Sequence, residues 1–237
     1  MRFSYIVTFR HENDPTARLS SADLEAIRTV VLGTPGLRLA HLFTPESARD
    51  YYTDDGPSPL FMMQLKFNEL PELEAAVAAN GHLQQLADAS ALPSLAGTHV
   101  TQQVMVTRPF PVIDARADAA ADTLPCSYLV HYPGQAADLN AWHSYYLSHH
   151  PQIMKDFPGI REIEIFSRVD WCDAMPWERV AYMQRNKLVF DSAACLTDAL
   201  QSDVRHRMRA DFEQFPPFTG SNAHFAMATH TVAPGRE

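Results

Sequence analysis

The chain carries much of its pattern twice. A single ungapped offset of 123 residues turns Ser4-Tyr5-x-Val7 into Ser127-Tyr128-x-Val130 and Pro35-Gly36-x-Arg38 into Pro158-Gly159-x-Arg161. The same offset pairs Phe43 with Phe166, Leu65 with Leu188, Phe67 with Phe190, Leu73 with Leu196, Pro93 with Pro216 and Gly97 with Gly220. These are apolar and turn positions, the ones that fix a core and its corners, so two copies of one supersecondary unit are expected. Residues 109–125, rich in Pro, Ala and Asp, read as a linker between a first repeat at 1–108 and a second at 126–237.

The second copy displays the order of elements most clearly. An alternating run over 127–132 reads as a strand, and a helical pattern runs from Asp138 to about Phe157, where Pro158-Gly159 is a stop signal. Two strand-like runs follow, Ile160 to Arg168 and Val180 to Phe190, parted by a loop holding Trp171, Asp173, Pro176 and Trp177. Asp191 precedes a helix to about Phe212, and Ala223 to Val232 supplies the last strand. The order βαββαβ is the ferredoxin-like unit, whose four antiparallel strands carry two helices on one face and leave the other bare. A bare sheet face needs a cover, and a second copy provides one. The expected fold is therefore α+β: two tandem ferredoxin-like units whose antiparallel sheets pack into one intramolecular α+β barrel, with a homodimer of the two-repeat chain compatible with it.

Composition narrows the partners. With 19 Lys+Arg against 28 Asp+Glu the net charge is −9, which disfavours the basic face that nucleic acid requires. Apolar runs such as Phe61 to Met63 fall far short of the roughly 18 residues of a membrane helix, so no membrane partner is expected. The N-terminal run from Met1 to Val7 alternates and reaches His11 and Glu12 at once, unlike a secretory signal. Cys126, Cys172 and Cys195 are odd in number and lack C-x-x-C spacing; a cytoplasmic location is expected, with neither a disulfide framework nor a zinc site. Dinucleotide, P-loop and Gly-x-Ser-x-Gly motifs do not occur.

The first helices of the two copies differ in chemistry. The first copy places Leu19, Asp23, Ala26, Ile27 and Val30 on its inward stripe; the second places Leu139, Trp142, Tyr146, His149 and Ile153 there. At 100° per residue His149 falls within about 20° of Trp142, and His150 about 80° away, which favours His149 as the inward histidine. Pro151 should end or kink the helix, because it lacks an N–H and clashes with the carbonyl of Leu147. A polar pocket is accordingly expected in the second copy, with the first filled by its own side chains.

Trp142-x-x-Tyr145-Tyr146-x-x-His149-His150-Pro151, followed by Pro158-Gly159, resembles the EthD-like group of the dimeric α+β barrel superfamily. The resemblance spans the second copy in element order and rests on about a dozen residues; the first copy shares the scaffold alone. It implies a cofactor-independent enzyme that works by histidine acid/base chemistry on a small planar, hydrophobic or aromatic metabolite, of isomerase, lyase or cyclase type. The family's His-x-Pro element aligns on His149, whereas spacing from the aromatic pair aligns it on His150. Histidine suits enolisation or lactone rearrangement because its ordinary pKa, about 6.5, lets it take and give a proton near neutrality. Tyr146 would orient the imidazole or bind an oxyanion, and Trp142 would form a flat wall, with Tyr145 beside it.

Weaker candidates line the same copy. His131 and His224 lie on strands expected to be neighbours, where their imidazoles can approach each other, and Gln184 and Asn186 lie on the third strand. His131, His149 and His224 show no metal-ligand spacing, so neither metal nor other cofactor is expected. Glu162 and Glu164 share a strand face and read as a charged rim, either exposed or between the copies. The competing functions are a non-catalytic small-molecule-binding or accessory protein, a haem-binding protein or cofactor-free oxygenase, and a purely structural pseudo-dimer.

Overall fold

A computed structural model of the chain describes residues 1–88, 90–115 and 123–235. The strands are β1 (Phe3–Arg10), β2 (Leu37–Pro45), β3 (Phe61–Phe67), β4 (His99–Phe110), β5 (Cys126–Tyr132), β6 (Glu162–Arg168), β7 (Glu178–Arg179), β8 (Gln184–Phe190) and β9 (Ala223–Val232). The α-helices are α1 (Ser21–Leu32), α2 (Leu70–Val77), α3 (Leu139–Met154), α4 (Ala193–Leu200) and α5 (Asp203–Phe212). Bounds recur at the sequence offset: β3 and β8 are 123 residues apart at both ends, as are α2 and α4. Local signals explain where helices start. Ser20, Asp138 and Ser192 each accept a backbone N–H of the first turn of α1, α3 and α4. Gly36 and Gly159, with φ of 76° and 72°, make the turn into the second strand of each half, a conformation that the preceding prolines favour and that a side chain would oppose.

Among the described residues, eight strands close into an antiparallel barrel in the order β1-β3-β2-β9-β5-β8-β6-β4, with β4 returning to β1. Two ladders join the halves, β2 with β9 and β4 with β6. Alternation along each strand divides the molecule into layers. Outward side chains pack under the helices as two separate apolar clusters, one for each half. Inward side chains form a third, with Ile6, Phe43, Met62, Met105, Leu129, Phe166, Phe225 and Met227 at mid-barrel.

Several expectations change. The strand expected over Val180 to Phe190 begins only at Gln184, and β7 is a separate pair of residues running parallel to β4. The helix expected after Asp191 is two helices, α4 and α5, with the turn residues Gln201 and Ser202 between them. On α1 the covered residues are Asp23, Ile27 and Val31, while Ala26 is exposed. Of the expected linker, Pro109 and Phe110 extend β4, Asp114 pairs with Arg161 (2.7 Å), and residues 116–122 lie outside the described residues. No helix among the described residues is long and apolar enough to cross a membrane.

Of the two readings of Glu162 and Glu164, the exposed rim fails and the contact between copies holds: Glu164 is buried at one end of the barrel interior, against Lys66 of the first half. Its carboxylate lies 2.7 Å from Lys66 Nζ and 2.9 Å from Lys187 Nζ, and Glu162 lies 3.1 Å from Lys187. Gln64 donates to Glu164 (3.1 Å) and to Ser4 Oγ (2.9 Å). Burial works against the Glu164 charge, but the two ammonium groups outweigh it and hold its pKa well below the carboxylate range.

Two outcomes follow from this interior. Glu164→Ala leaves two buried ammonium groups without their shared carboxylate and should cost roughly 3–5 kcal/mol in urea unfolding, against which a loss below about 1 kcal/mol would count. Burial also lowers the pKa of the interior residues His41 and His131 well below the ordinary histidine value. Their unfolded-state pKa is about 6.5, so their contribution is complete above that pH and is lost as pH falls below it. Unfolding curves at pH 7.5 and pH 5.5 should show the lower stability at the lower pH; equal stability would contradict neutral burial of these rings.

Candidate functional site

The covered residues of α3 are Trp142, Tyr146, His150, Pro151 and Met154. Four of these form a single row at i, i+4 spacing, and such a row winds obliquely around a helix rather than running parallel to its axis. The 100° projection assumes a straight stripe, and for that reason it favoured the wrong neighbour. His150 is 5% exposed and faces the sheet. His149 is exposed, stacks on Tyr145 (4.2 Å between centroids) and donates from Nδ1 to the Tyr145 carbonyl (2.8 Å). Pro151 does not end the helix, which continues to Met154.

His150 Nδ1 lies 2.6 Å from Asp211 Oδ2 on α5, and Tyr145 donates its hydroxyl to Asp211 Oδ1 (3.0 Å). Burial lowers the pKa of His150, and Asp211 only partly opposes that. Burial likewise works to raise the pKa of Asp211, but hydrogen bonds from His150 and Tyr145 hold it below the usual value. A neutral imidazole that gives its Nδ1 proton to a carboxylate keeps its lone pair on Nε2, the arrangement of an oriented general base. A second pair stands opposite on β9: His224 Nδ1 lies 2.7 Å from Asp55 Oδ2, which also accepts the His224 backbone N–H (2.9 Å).

Tyr146 and Trp142 have other roles than those expected. Their rings stack 5.0 Å apart, with Phe215 and Phe218 at the edges of the indole, so Trp142 belongs to the core and is not a cavity wall. Gln184 donates to Asn186 (3.1 Å), Asn186 donates to the Tyr146 hydroxyl (2.6 Å), and Tyr146 is hydrogen-bonded to Tyr132. Burial raises the pKa of Tyr146 and pushes Tyr132 up to about 12, so both remain phenols that can pass a hydrogen bond along the chain.

The first half supplies part of this site through its β2–β3 connection. Arg205 Nε donates to both oxygens of Asp50 (2.9 and 3.0 Å), and Tyr128 donates its hydroxyl to Asp50 (2.7 Å). The cleft so enclosed has a volume of about 60 Å³, with His150, Asn186, His224, Tyr128, Tyr132 and Arg205 among its lining. That volume suits a few waters; pockets for small organic ligands are commonly about 300–1,000 Å³. The expected ligand-sized pocket is therefore not open in this conformation. The second half covers the first in return: Trp171 packs on Tyr5 (5.9 Å) and Trp177 on Phe9 (5.5 Å), filling the space beside α1. The covers follow the repeat, since Tyr5 and Tyr128, and likewise Asp50 and Asp173, stand 123 residues apart.

His131 and His224 do not approach each other. In the β5–β9 ladder His224 is opposite Val130 and His131 is opposite Ala223, so the two rings leave opposite faces of the sheet. His131 points into the barrel. Tyr128, Tyr132, Arg205, Asp211, Asp50 and Asp55 escaped the sequence reading. The alternation Cys126, Tyr128, Val130, Tyr132 was a visible signal for two of them; nothing local marks Asp50 or Asp55. Among the described residues no group of three or more His, Cys, Asp or Glu could hold a metal ion.

No protein-family model and no curated protein matches the sequence. Solved structures do match. One described as an anthrone oxidase-like protein aligns over 99% of this chain and 94% of its own at 9% identity, with a TM-score of 0.61. A putative monooxygenase from Fusobacterium nucleatum aligns over 99% and 95% at 6% identity, with a TM-score of 0.55. An EthD family protein from Bacillus halodurans aligns over 42% of this chain and 97% of its own at 18% identity, with a TM-score of 0.34, too slight to carry an argument. At these identities the first two likenesses establish the α+β barrel fold.

Because burial lowers its pKa, His150 should titrate below the ordinary histidine value of about 6.5 in ¹⁵N-detected NMR, with its proton on Nδ1. Asp211→Asn removes a carboxylate that favours the imidazolium and should shift that titration to lower pH still. Titration of His150 at or above pH 6.5 in the native protein would refute the neutral, oriented base.

Proposed function

We propose that this chain is an EthD-like enzyme, built as two fused ferredoxin-like repeats, that abstracts a proton from a small planar, oxygenated metabolite with His150 as general base. The observation that carries the reading is the His150–Asp211 hydrogen bond beside a cleft that His150 lines. Asp211 fixes the tautomer, leaving Nε2 for the substrate proton. Arg205 and His224, both in the lining, supply donors for an oxygen that gains charge as the proton leaves. Tyr146 acts through Asn186 and Tyr132 rather than on the substrate, because it is fully buried behind them. His149 has no part in the chemistry. A ring enters only when residues 50–55 lift from the cleft, which breaks the Asp50–Arg205 and Asp55–His224 pairs.

Isomerase or lyase chemistry is the first reading, since proton transfer alone completes it. The neighbours described as anthrone oxidase-like and putative monooxygenase favour a second, cofactor-free oxygenation, in which the same deprotonation precedes reaction with dioxygen. The test is exchange of substrate C–H for deuterium in D2O, followed by NMR across a panel of hydroxylated aromatics and lactones, with oxygen uptake recorded in parallel. Uptake separates the two readings.

His150→Ala should lower the exchange rate by roughly 10²–10⁴, and His149→Ala should leave it near the native value. Because burial lowers the pKa of His150, the native rate should climb as pH rises through a value below 6.5 and then level. A folded His150→Ala protein that exchanges at the native rate would end the proposal and favour a binding protein.

A further inference from the structure

The barrel interior has a second polar end, opposite in chemistry to the Lys66–Glu164–Lys187 cluster. Arg185 on β8 is 1% exposed. Its Nε donates to Gln103 (3.3 Å), its Nη1 donates to His131 Nε2 (3.3 Å), and the Tyr182 ring lies 4.4 Å from its guanidinium carbon. Its Nη2 has no hydrogen-bond partner among the described residues, and no carboxylate pairs with it there. A guanidinium cannot shed its charge near neutrality, so an unpaired, fully buried one is costly and calls for an anion. Two of the contacts of Arg185, His131 and Tyr182, line a cavity of about 270 Å³ together with Thr8, Arg10, Thr101 and Phe225, and Arg185 stands behind them. Among the described residues Arg10 reaches only the Pro57 carbonyl (3.4 Å) and the Phe225 ring (5.1 Å). The acids Glu178 and Glu12 approach this cavity only through His99 (2.6 and 3.8 Å), which also lines it.

We propose that this end of the barrel binds a small organic carboxylate, its oxygens meeting Arg10 and the His131 ring that Arg185 holds from behind, and its apolar body lying against Tyr182 and Phe225. His131 strengthens the site: accepting from Arg185 at Nε2, it carries its own proton on Nδ1 and adds a donor. The two threonine hydroxyls add others. The aromatic walls select an organic anion over inorganic phosphate, and about 270 Å³ accommodates a single ring with a carboxylate. This site lies across the β5–β9 ladder from the His150 cleft, as the opposite facing of His131 and His224 requires, and it stands independently of the function proposed for that cleft.

Benzoate titrated into the full chain by calorimetry should bind, and inorganic phosphate should bind at least about tenfold more weakly. Arg185→Met and Arg10→Gln should each weaken benzoate by about tenfold or more, while His150→Ala leaves it unchanged. Arg185→Met removes an unpaired buried charge, so its thermal midpoint without ligand should equal or exceed the native value, and benzoate should no longer raise it. If Arg185→Met fails to fold, Arg10→Gln, at a half-buried position, decides. Absence of benzoate binding up to roughly 10 mM, equal binding of phosphate, or binding lost in His150→Ala but kept in Arg10→Gln would each overturn the proposal.

Discussion

Sheet closure is the constraint on which the other features depend. Taken alone, the first half runs β2-β3-β1-β4 and the second β6-β8-β5-β9, and each would end in two open edges. Open edges present rows of unsatisfied backbone donors and acceptors, and the bare inner faces would expose Phe43, Met62, Phe166 and Phe225 to water. The β2–β9 and β4–β6 ladders remove all four edges at once and enclose those faces. Because the two halves meet edge to edge, their inward residues share one interior, and charge from one half finds its partner in the other. Lys66 of β3 and Lys187 of β8 both close on Glu164 of β6.

Closure also brings each half's long connection over the other half's helix-side face. The two crossovers occupy repeat-related positions but have diverged in what they carry. From the second half come Trp171, Met175 and Trp177, which pack into the first half's apolar cluster. From the first half come Asp50 and Asp55, which pair with Arg205 and His224 and leave a polar cleft. One side is thus filled by indole rings and the other edged with carboxylates. Asp23, at the offset position of Tyr146, illustrates the same divergence: it is spent on holding Ser94.

The interior has its own polarity along the axis. One end holds two lysines against two glutamates and is electrically balanced; the other holds Arg185, whose hydrogen-bond partners among the described residues are the neutral Gln103 and His131. Balanced buried charge is a structural device, whereas unbalanced buried charge is tolerated where something else completes it. The same comparison separates the two histidine environments: His150 has a carboxylate to orient it, and His131 has a guanidinium instead.

The sequence by itself determined the 123-residue offset and the order of strands and first helices, since these follow from periodicity, Pro-Gly turns and helix-capping residues that act within a few positions of one another. It also marked α3 of the second half as the helix that covers Trp142, Tyr146 and one of two adjacent histidines. Only the tertiary structure decided which histidine faces inward, because that depends on the oblique row of α3 that the sheet covers, and no projection of one helix contains its neighbour. Register decided that His131 and His224 part company, a matter of one residue in the β5–β9 ladder. Asp50 and Asp55 reach their partners across 155 and 169 residues, a separation that barrel closure spans and local sequence cannot express.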